Sequence, residues 1–152
     1  MTKDLEPRRH LVLEGAYNIR DIGGYGTSDG RRIRWGKFLR ADNLHNLTPE
    51  SQAALIDYGI RTVIDLRKTR DVQREPDVFA SSSVVVYYHQ NMNGDEPLPS
   101  MADSPGATER SNSFKLPPHL SLKSYSNLLD HRRSQIIETL ATLASPGVLP
   151  AL

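Results

Sequence analysis

Segment 47–67, LTPESQAALIDYGIRTVIDLR, constrains the fold more than any other part of the chain, because it encodes a helix followed at once by a buried strand. Thr48 and Pro49 are typical of a helix start, since threonine can cap the first turn and proline suits the first helical position. Gly59 is a typical helix terminator. The β-branched run that follows Gly59 predicts a buried strand.

The remaining segments extend this pattern into an α/β domain with a largely parallel sheet flanked by helices. A short helix is predicted over 68–75 and a second strand over 84–88. Segment 89–118 is rich in proline, serine, asparagine and glycine, so we expect a functional loop or a disordered stretch. An apolar stripe predicts the last helix over about 120–144, and a further strand starts at Val148.

Composition argues against several functional classes. The net charge is +1, so no global field draws nucleic acid or an anionic membrane surface. No apolar run approaches the ~20 residues of a membrane-spanning helix, and no secretory leader is evident, so we expect a cytoplasmic protein. Residues 1–10 are polar, which predicts a disordered N-terminus before a single domain over 11–152. The five histidines lack ligand spacing, so no metal site is expected.

Three motif-like patterns are better explained without chemistry. The glycine-rich stretch 23–30 lacks the preceding strand and following helix of a dinucleotide-binding fingerprint, so a hairpin turn is favoured. Ser104 with Arg110, and Ser126 with Arg132, have the six-residue spacing of a nucleophile and a phosphate-binding arginine. Neither serine follows a predicted strand, so we interpret both pairs as chance.

Two charged clusters are the strongest site candidates: residues 18–21, NIRD, and the strand end Asp65-Leu66-Arg67. Ligands of open α/β sheets bind beyond the carboxyl ends of the strands, where an arginine can present its guanidinium fork to phosphate or carboxylate. The alternative is an internal Asp–Arg network that pins a loop to the sheet. Spacing alone favours that alternative, because structural ion pairs are common.

Taken in order, three segments resemble the bacterial and fungal tyrosine-phosphatase-like family that includes the secreted mycobacterial tyrosine phosphatase B. Residues 18–25, NIRDIGGY, resemble its N-(F/I)-R-D-(L/I)-G-G motif. Residues 38–48, FLRADNLHNLT, resemble a second family segment, with Ala41 in place of the usual serine. Residues 59–67, GIRTVIDLR, resemble its G-I-(R/K)-T-(V/I)-I-D-L-R motif, and the similarity resumes over 125–149.

This resemblance implies a cysteine-phosphatase-like fold that hydrolyses phosphomonoesters through a phosphocysteine intermediate, without metal or other cofactor. The implied substrate is a phosphotyrosine protein or another phosphomonoester. In such a site backbone amides cradle the phosphate, an arginine holds its oxygens, and a carboxylic acid protonates the leaving group. We expect the phosphate site to be supported by Arg20, Asp21, Arg40, Asp65 and Arg67.

The chain contains no cysteine, and residues 150–152 read Pro-Ala-Leu where the family continues toward an H-C-x-x-G-K-D-R loop. We therefore expect a domain that is incomplete at its C-terminus, truncated before that loop and inactive alone. Asp95, after the second predicted strand, is the candidate general acid. Two alternatives stay open: a non-catalytic phosphate- or protein-binding module (a pseudophosphatase), and an unrelated α/β domain with a coincidental match.

Overall fold

The structure, a computed structural model, describes residues 7–95 and 118–152. The first six residues of the predicted disordered N-terminus (1–10) and most of the predicted loop over 89–118, including Ser104 and Arg110, lie outside these residues. After a short 3-10 turn at Pro7–Arg9, the described strands are β1 (His10–Leu13), β2 (Ala16–Asp21), β3 (Leu39–Arg40), β4 (Thr62–Asp65) and β5 (Val86–His89). The described helices are α1 (Pro49–Tyr58), α2 (Thr69–Arg74), α3 (Pro118–His131) and α4 (Arg133–Ala144).

The strands form an antiparallel sheet and a parallel sheet. Strands β1, β2 and β3 pair in that order, each antiparallel to its neighbour. Strands β4 and β5 are parallel, with Thr62 opposite Val86 and Asp65 opposite His89. The chain is therefore a mixed helix-and-sheet protein, as the sequence predicts. It differs from the prediction in that the first three strands are antiparallel. A tight turn over 14–15 connects β1 to β2, and a helix-free loop over 22–38 connects β2 to β3, so neither connection is the helical crossover of a parallel pair.

Ala151 and Leu152 join the two sheets, and we call them the joining segment. On one side, the Ala151 amide donates to the Lys37 carbonyl at 3.1 Å, and the Ala151 carbonyl accepts from the Leu39 amide at 2.9 Å. On the other side, the Leu152 amide donates to the Thr62 carbonyl at 3.0 Å. The pairing is parallel on both sides, so the joining segment lies between the antiparallel and the parallel sheet.

Helix α1 forms where the sequence predicts it. The Thr48 hydroxyl accepts a hydrogen bond from the Ser51 amide at 3.3 Å, and Pro49 is the first helical residue. Gly59 ends the helix with φ 109°, in the left-handed region that glycine adopts without a steric penalty. The turn delivers Ile60, which is fully buried, directly into the core ahead of β4.

The core is a cluster of buried apolar side chains that touches both sheets and α1. Its members come from the strands, from α1 and from the loops between them: Ile19, Leu39, Leu44, Leu47, Leu55, Ile60, Val63, Phe79 and Val85. Because both sheets pack against this one cluster, it fixes the relative positions of the strand ends that border the joining segment.

The helix predicted over about 120–144 is instead two helices, α3 and α4, that meet at Arg132. Arg132 has φ −120° and ψ 28°, which lies outside the helical region. Its guanidinium packs against Gly94, where a β-carbon would lie 2.6 Å from the guanidinium carbon. The apolar periodicity that predicted one helix continues across Arg132. The periodicity therefore could not indicate the break.

We expect Ala151→Asp to destabilise the protein by about 3 kcal/mol or more, because it buries a carboxylate without a partner between two strands. Ala151 is 2 % exposed. The matched control is Ala53→Asp on the exposed face of α1, which should cost less than about 1 kcal/mol. Urea unfolding measures both free energies. Equal losses in the two variants would contradict the central position of the joining segment.

Candidate functional site

A cleft of about 440 Å³ opens at the carboxyl ends of β3 and β4, beside the joining segment. Its walls are the residues that end or follow these two strands, 39–44 and 63–67, together with Asp77, Asn93 and Leu152. Both strands and the joining segment run in the same direction, so their carboxyl ends meet at one edge. This is the edge at which open α/β sheets bind ligands.

Asp65 and Arg67 form an ion pair on the wall of the cleft. Arg67 Nη2 lies 2.6 Å from Asp65 Oδ2, and Arg67 Nε donates to Asp65 Oδ1 at 2.9 Å. The Tyr87 hydroxyl, from the neighbouring strand β5, also donates to Asp65 Oδ2 at 2.9 Å. The Asp65 side chain is 4 % exposed and that of Arg67 is 22 % exposed, so the pair is largely shielded from water.

The remaining contacts of Arg67 are also made within the chain. Its Nη1 donates to Asn43 Oδ1 at 2.7 Å and to the Glu75 carbonyl at 3.0 Å. Asn43 in turn donates to the Glu75 carboxylate at 2.8 Å. The pair thus ties the loops that follow β3, β4 and α2 to one another. These contacts fit the internal Asp–Arg network that the spacing favours, placed here on the edge of the cleft.

The ion pair keeps both partners charged. Burial by itself would raise the pKa of Asp65, but hydrogen bonds from the Arg67 side chain and amide and from Tyr87 outweigh it, so the net pKa is lowered. The hydrogen bond to Asp65 raises the pKa of Arg67. Burial, together with the hydrogen bond to Asp65, raises the pKa of the Tyr87 hydroxyl.

Asp77 is a second carboxyl on the cleft, at a position that the sequence motifs did not indicate. It is 7 % exposed, and its Oδ1 accepts a hydrogen bond from the Phe79 amide at 2.8 Å. Burial is the largest effect and raises its pKa, and the negative charge of Asp65 adds to this. The hydrogen bond from the Phe79 amide and the charges of Arg67 and His45 act in the opposite direction without cancelling the increase. No motif or predicted strand end marks this position. The only local signal is an acidic residue directly after a proline that follows a helix.

Asp95, the predicted general acid, lies at the N-terminal end of α2. Its carboxylate accepts from the Thr69 amide at 3.2 Å, from the Thr69 hydroxyl at 2.9 Å and from Asn91 Nδ2 at 2.9 Å. The hydrogen bond from the Thr69 hydroxyl is the largest effect on its pKa, which is lowered. These contacts are those of a helix cap. Asp95 is absent from the described lining of the cleft.

Asp21 is fully buried and holds a loop in place away from the described lining of the cleft. Its carboxylate accepts from the Gly23 amide, the Gly36 amide and the Tyr58 hydroxyl, each at 2.6 Å. Burial and the hydrogen bond to Asp21 raise the pKa of Tyr58 to about 12. Asp21 therefore fastens the connection between β2 and β3 to the end of α1, which fixes the position of β3 on the cleft.

Arg9 adds further hydrogen bonds to those of Asp21, and we call these two residues with their partners the anchor. The packing around Arg9 also accounts for the glycine pair Gly23 and Gly24. Arg9 is 7 % exposed, and its Nη1 donates to the carbonyls of Asp21 at 2.9 Å and Gly23 at 2.6 Å. Its guanidinium lies over the rings of Tyr25 at 3.9 Å and Trp35 at 5.0 Å. A β-carbon at Gly23 would come within 2.5 Å of Trp35. The glycines thus allow close packing against Trp35 in the stretch where the sequence predicts a hairpin turn.

Arg20 and Arg40 occupy a different environment from Arg67. They lie directly opposite each other on β2 and β3, and Arg40 is exposed and lines the cleft. Within residues 7–95 and 118–152, neither side chain makes a hydrogen bond or an ion pair. Of the five predicted support residues, Arg40, Asp65 and Arg67 line the cleft, Arg20 lies one strand beyond it, and Asp21 is buried in the anchor.

Two features of residues 7–95 and 118–152 concern metals and membranes. No group of three histidine, aspartate or glutamate side chains is arranged there to hold a metal ion. None of the described helices is long and apolar enough to cross a membrane.

Comparison with known proteins gives one family-level result. The model of a family described as the tyrosine phosphatase family matches residues 11–152, which is all but the first ten residues of the chain. No curated protein matches the chain. The family match thus extends over every strand of both sheets except the first residue of β1, and over the whole lining of the cleft.

We expect Asp77→Asn to stabilise the protein at pH 7 by about 1–3 kcal/mol, because the wild type buries a charged carboxylate there. The pKa of Asp77 is raised in the folded state, so ionisation of this carboxyl destabilises the folded wild type. The stability of the wild type relative to the variant should therefore fall as the pH rises from about 4, the usual aspartate pKa, through the folded pKa of Asp77. Below pH ~4 the difference should vanish. Urea unfolding across this range measures it, with exposed Asp57→Asn on α1 as control.

We expect Arg67→Met to cost about 2–4 kcal/mol near pH 7, because it leaves the shielded Asp65 carboxylate without its main donor. Because the pKa of Asp65 is lower in the folded than in the unfolded state, its interactions stabilise the protein at pH values above the unfolded pKa. This stabilisation is lost as the pH falls through the folded pKa of Asp65. The cost should therefore shrink in acid. Unfolding curves for Arg34→Met, at an exposed arginine on the hairpin, supply the control. A pH-independent cost would contradict the ion-pair account.

Proposed function

Because this chain belongs to the tyrosine phosphatase family, we propose that its cleft is the phosphomonoester-binding edge of a tyrosine phosphatase scaffold. The observation that carries the proposal is the position of the cleft. It lies at the carboxyl ends of two strands that flank the joining segment, and an exposed arginine, Arg40, lines it. An arginine fork in such a position suits a phosphate group.

We assign different tasks to the charged residues of the cleft. The Asp65–Arg67 pair acts as a wall: its charges compensate each other, and its hydrogen bonds hold the surrounding loops. Arg40 supplies positive charge that no described group compensates. The raised pKa of Asp77, caused mainly by burial, limits the negative charge that this carboxyl brings to a cleft that has to accept an anion. The general acid predicted at Asp95 stays a prediction, and its helix-cap contacts give that role no support.

The chemistry of this family requires a nucleophile that these residues do not contain. The 152 residues include no cysteine, so a phosphocysteine cannot form on them. We therefore propose that these 152 residues bind a phosphomonoester weakly and do not hydrolyse it by themselves. The substrate class we propose is phosphotyrosine protein, with other phosphomonoesters as the alternative within the same chemistry.

We expect the purified 152-residue chain to release phosphate from p-nitrophenyl phosphate and from a phosphotyrosine peptide no faster than buffer does. In calorimetry, the peptide should bind with Kd of about 1 mM, and Arg40→Gln should weaken binding severalfold. Arg34→Gln serves as the control, since it removes an equal charge from the hairpin.

Turnover that scales with protein concentration, persists in Arg34→Gln and is lost in Arg40→Gln would contradict the proposed inactivity. Absence of phosphotyrosine binding at millimolar ligand would contradict the proposed cleft. Activity that is equal in all three proteins would indicate a contaminating phosphatase.

The second candidate is a non-catalytic module that binds phosphate or a protein without turnover. The absence of cysteine together with the uncompensated Arg40 favours it. Affinity separates the two functions. A dedicated binding module should bind its phosphopeptide near micromolar Kd, about 4 kcal/mol tighter than the millimolar binding expected of an isolated scaffold.

A further inference from the structure

The register of the antiparallel sheet places basic residues in a row across one face. His10 on β1 lies opposite Arg20 on β2, and Arg20 lies opposite Arg40 on β3. Residues directly opposite on antiparallel strands share a face, with β-carbons about 4.5–5.5 Å apart. The flanking residues Ile19 and Leu39 are buried in the core on the other face, so the basic row faces away from the core.

Within residues 7–95 and 118–152, the two arginines of this row have no counterion. Among the described residues, no hydrogen bond or ion pair involves either guanidinium. Asp42, two residues after Arg40, has a carboxylate that accepts from the amides of Tyr17 at 3.0 Å and Asn18 at 3.1 Å. Asp42 is therefore occupied by the backbone of β2 and makes no ion pair with Arg20 or Arg40.

His10 contributes less to this row than its position suggests. Its Nε2 lies 3.2 Å from the Tyr17 carbonyl, so the ring is tied to the β1–β2 hairpin. The free positive charge of the face is thus concentrated on the Arg20–Arg40 pair.

Like charges placed directly opposite in a sheet are destabilising. An anion placed between the two guanidiniums removes that repulsion and accepts hydrogen bonds from both forks. Arg67 cannot serve in this way, because Asp65, Asn43 and Glu75 already engage it. Arg67 is thus a structural part of the cleft wall, whereas Arg20 and Arg40 are available to a ligand.

The register points to a second anion subsite, formed by Arg20 and Arg40, that receives a phosphate or carboxylate of the same ligand whose phosphotyrosine occupies the cleft. This inference rests on the proposed function for the cleft itself. It narrows the substrate class to phosphotyrosine segments that carry a second anionic group nearby.

Sheet geometry indicates the spacing of the two anions. Arg40 lines the cleft, and Arg20 lies one strand farther, at a strand spacing of about 4.8 Å. The second anion should therefore lie about 5–10 Å from the phosphotyrosine phosphate. An extended peptide advances about 3.3–3.6 Å per residue, so an acidic residue about two or three positions from the phosphotyrosine meets this distance.

The test uses one short peptide sequence in four forms, titrated by calorimetry into the 152-residue chain at low ionic strength. The first carries phosphotyrosine alone. The second adds glutamate, and the third adds phosphoserine, at about two or three residues' distance. The fourth keeps the phosphoserine and has unmodified tyrosine. We expect the second anion to tighten binding about tenfold over phosphotyrosine alone, with the phosphate and carboxylate forms reporting which group is preferred.

The variants isolate the arginine pair. In Arg20→Gln/Arg40→Gln the tenfold gain should disappear, while Arg34→Gln should keep it. Arg20→Lys/Arg40→Lys, which keeps the charge and loses the fork, should retain only part of the gain. Loss of like-charge repulsion should leave the melting temperature of the double glutamine variant unchanged or higher. If that variant does not fold, Arg20→Gln alone carries the comparison, since Arg20 lies outside the cleft lining.

The outcomes separate this inference from the proposed function. If the tenfold gain persists in the double glutamine variant, or is lost equally in Arg34→Gln, the subsite is refuted. Equal affinity of wild type for the singly and doubly anionic peptides also refutes it. If phosphotyrosine alone does not bind but the phosphoserine-only peptide binds and depends on Arg20 and Arg40, the subsite stands and the proposed cleft fails.

Discussion

The structure depends on the backbone pairing of the joining segment. Ala151 is hydrogen bonded to Lys37 and Leu39 on one side, and Leu152 to Thr62 on the other. Among the described residues, no backbone hydrogen bonds other than those of the joining segment link the antiparallel sheet to the parallel sheet. With the bonds of the joining segment, the carboxyl ends of β3 and β4 meet at one edge, and the cleft exists because those ends meet.

The charged groups at this edge differ in the hydrogen bonds and ion pairs that they make. Asp21 and Asp65 are buried and each accepts several hydrogen bonds, which is the condition under which a buried carboxylate is tolerated. Asp77 has one described donor, from the Phe79 amide, and a raised pKa. Arg40 has no described partner. The edge thus combines rigid, compensated charge with a positive group that is left for an anion.

Local signals in the sequence were sufficient for much of the framework. The threonine cap, Pro49 and Gly59 predicted α1, and the β-branched run predicted β4, because these effects act between residues close in the chain. The break at Arg132 was not predictable in this way, because the side chain that marks it packs against Gly94, far away in the sequence. The antiparallel order of the first three strands likewise depends on which strand ends meet in space.

The sequence by itself determined the family motifs, the absence of cysteine and the positions at which arginines follow or lie within strands. It could not determine which arginine would be free. Arg40 and Arg67 both lie at or just after a strand end, yet Arg67 meets Asp65, Asn43 and Glu75 while Arg40 faces Arg20 across the sheet. Only the tertiary structure decided this, since a counterion is supplied by strand register and loop packing. Asp77 could not be predicted from the sequence for the same reason, because the residues that bury it become its neighbours only in the folded chain.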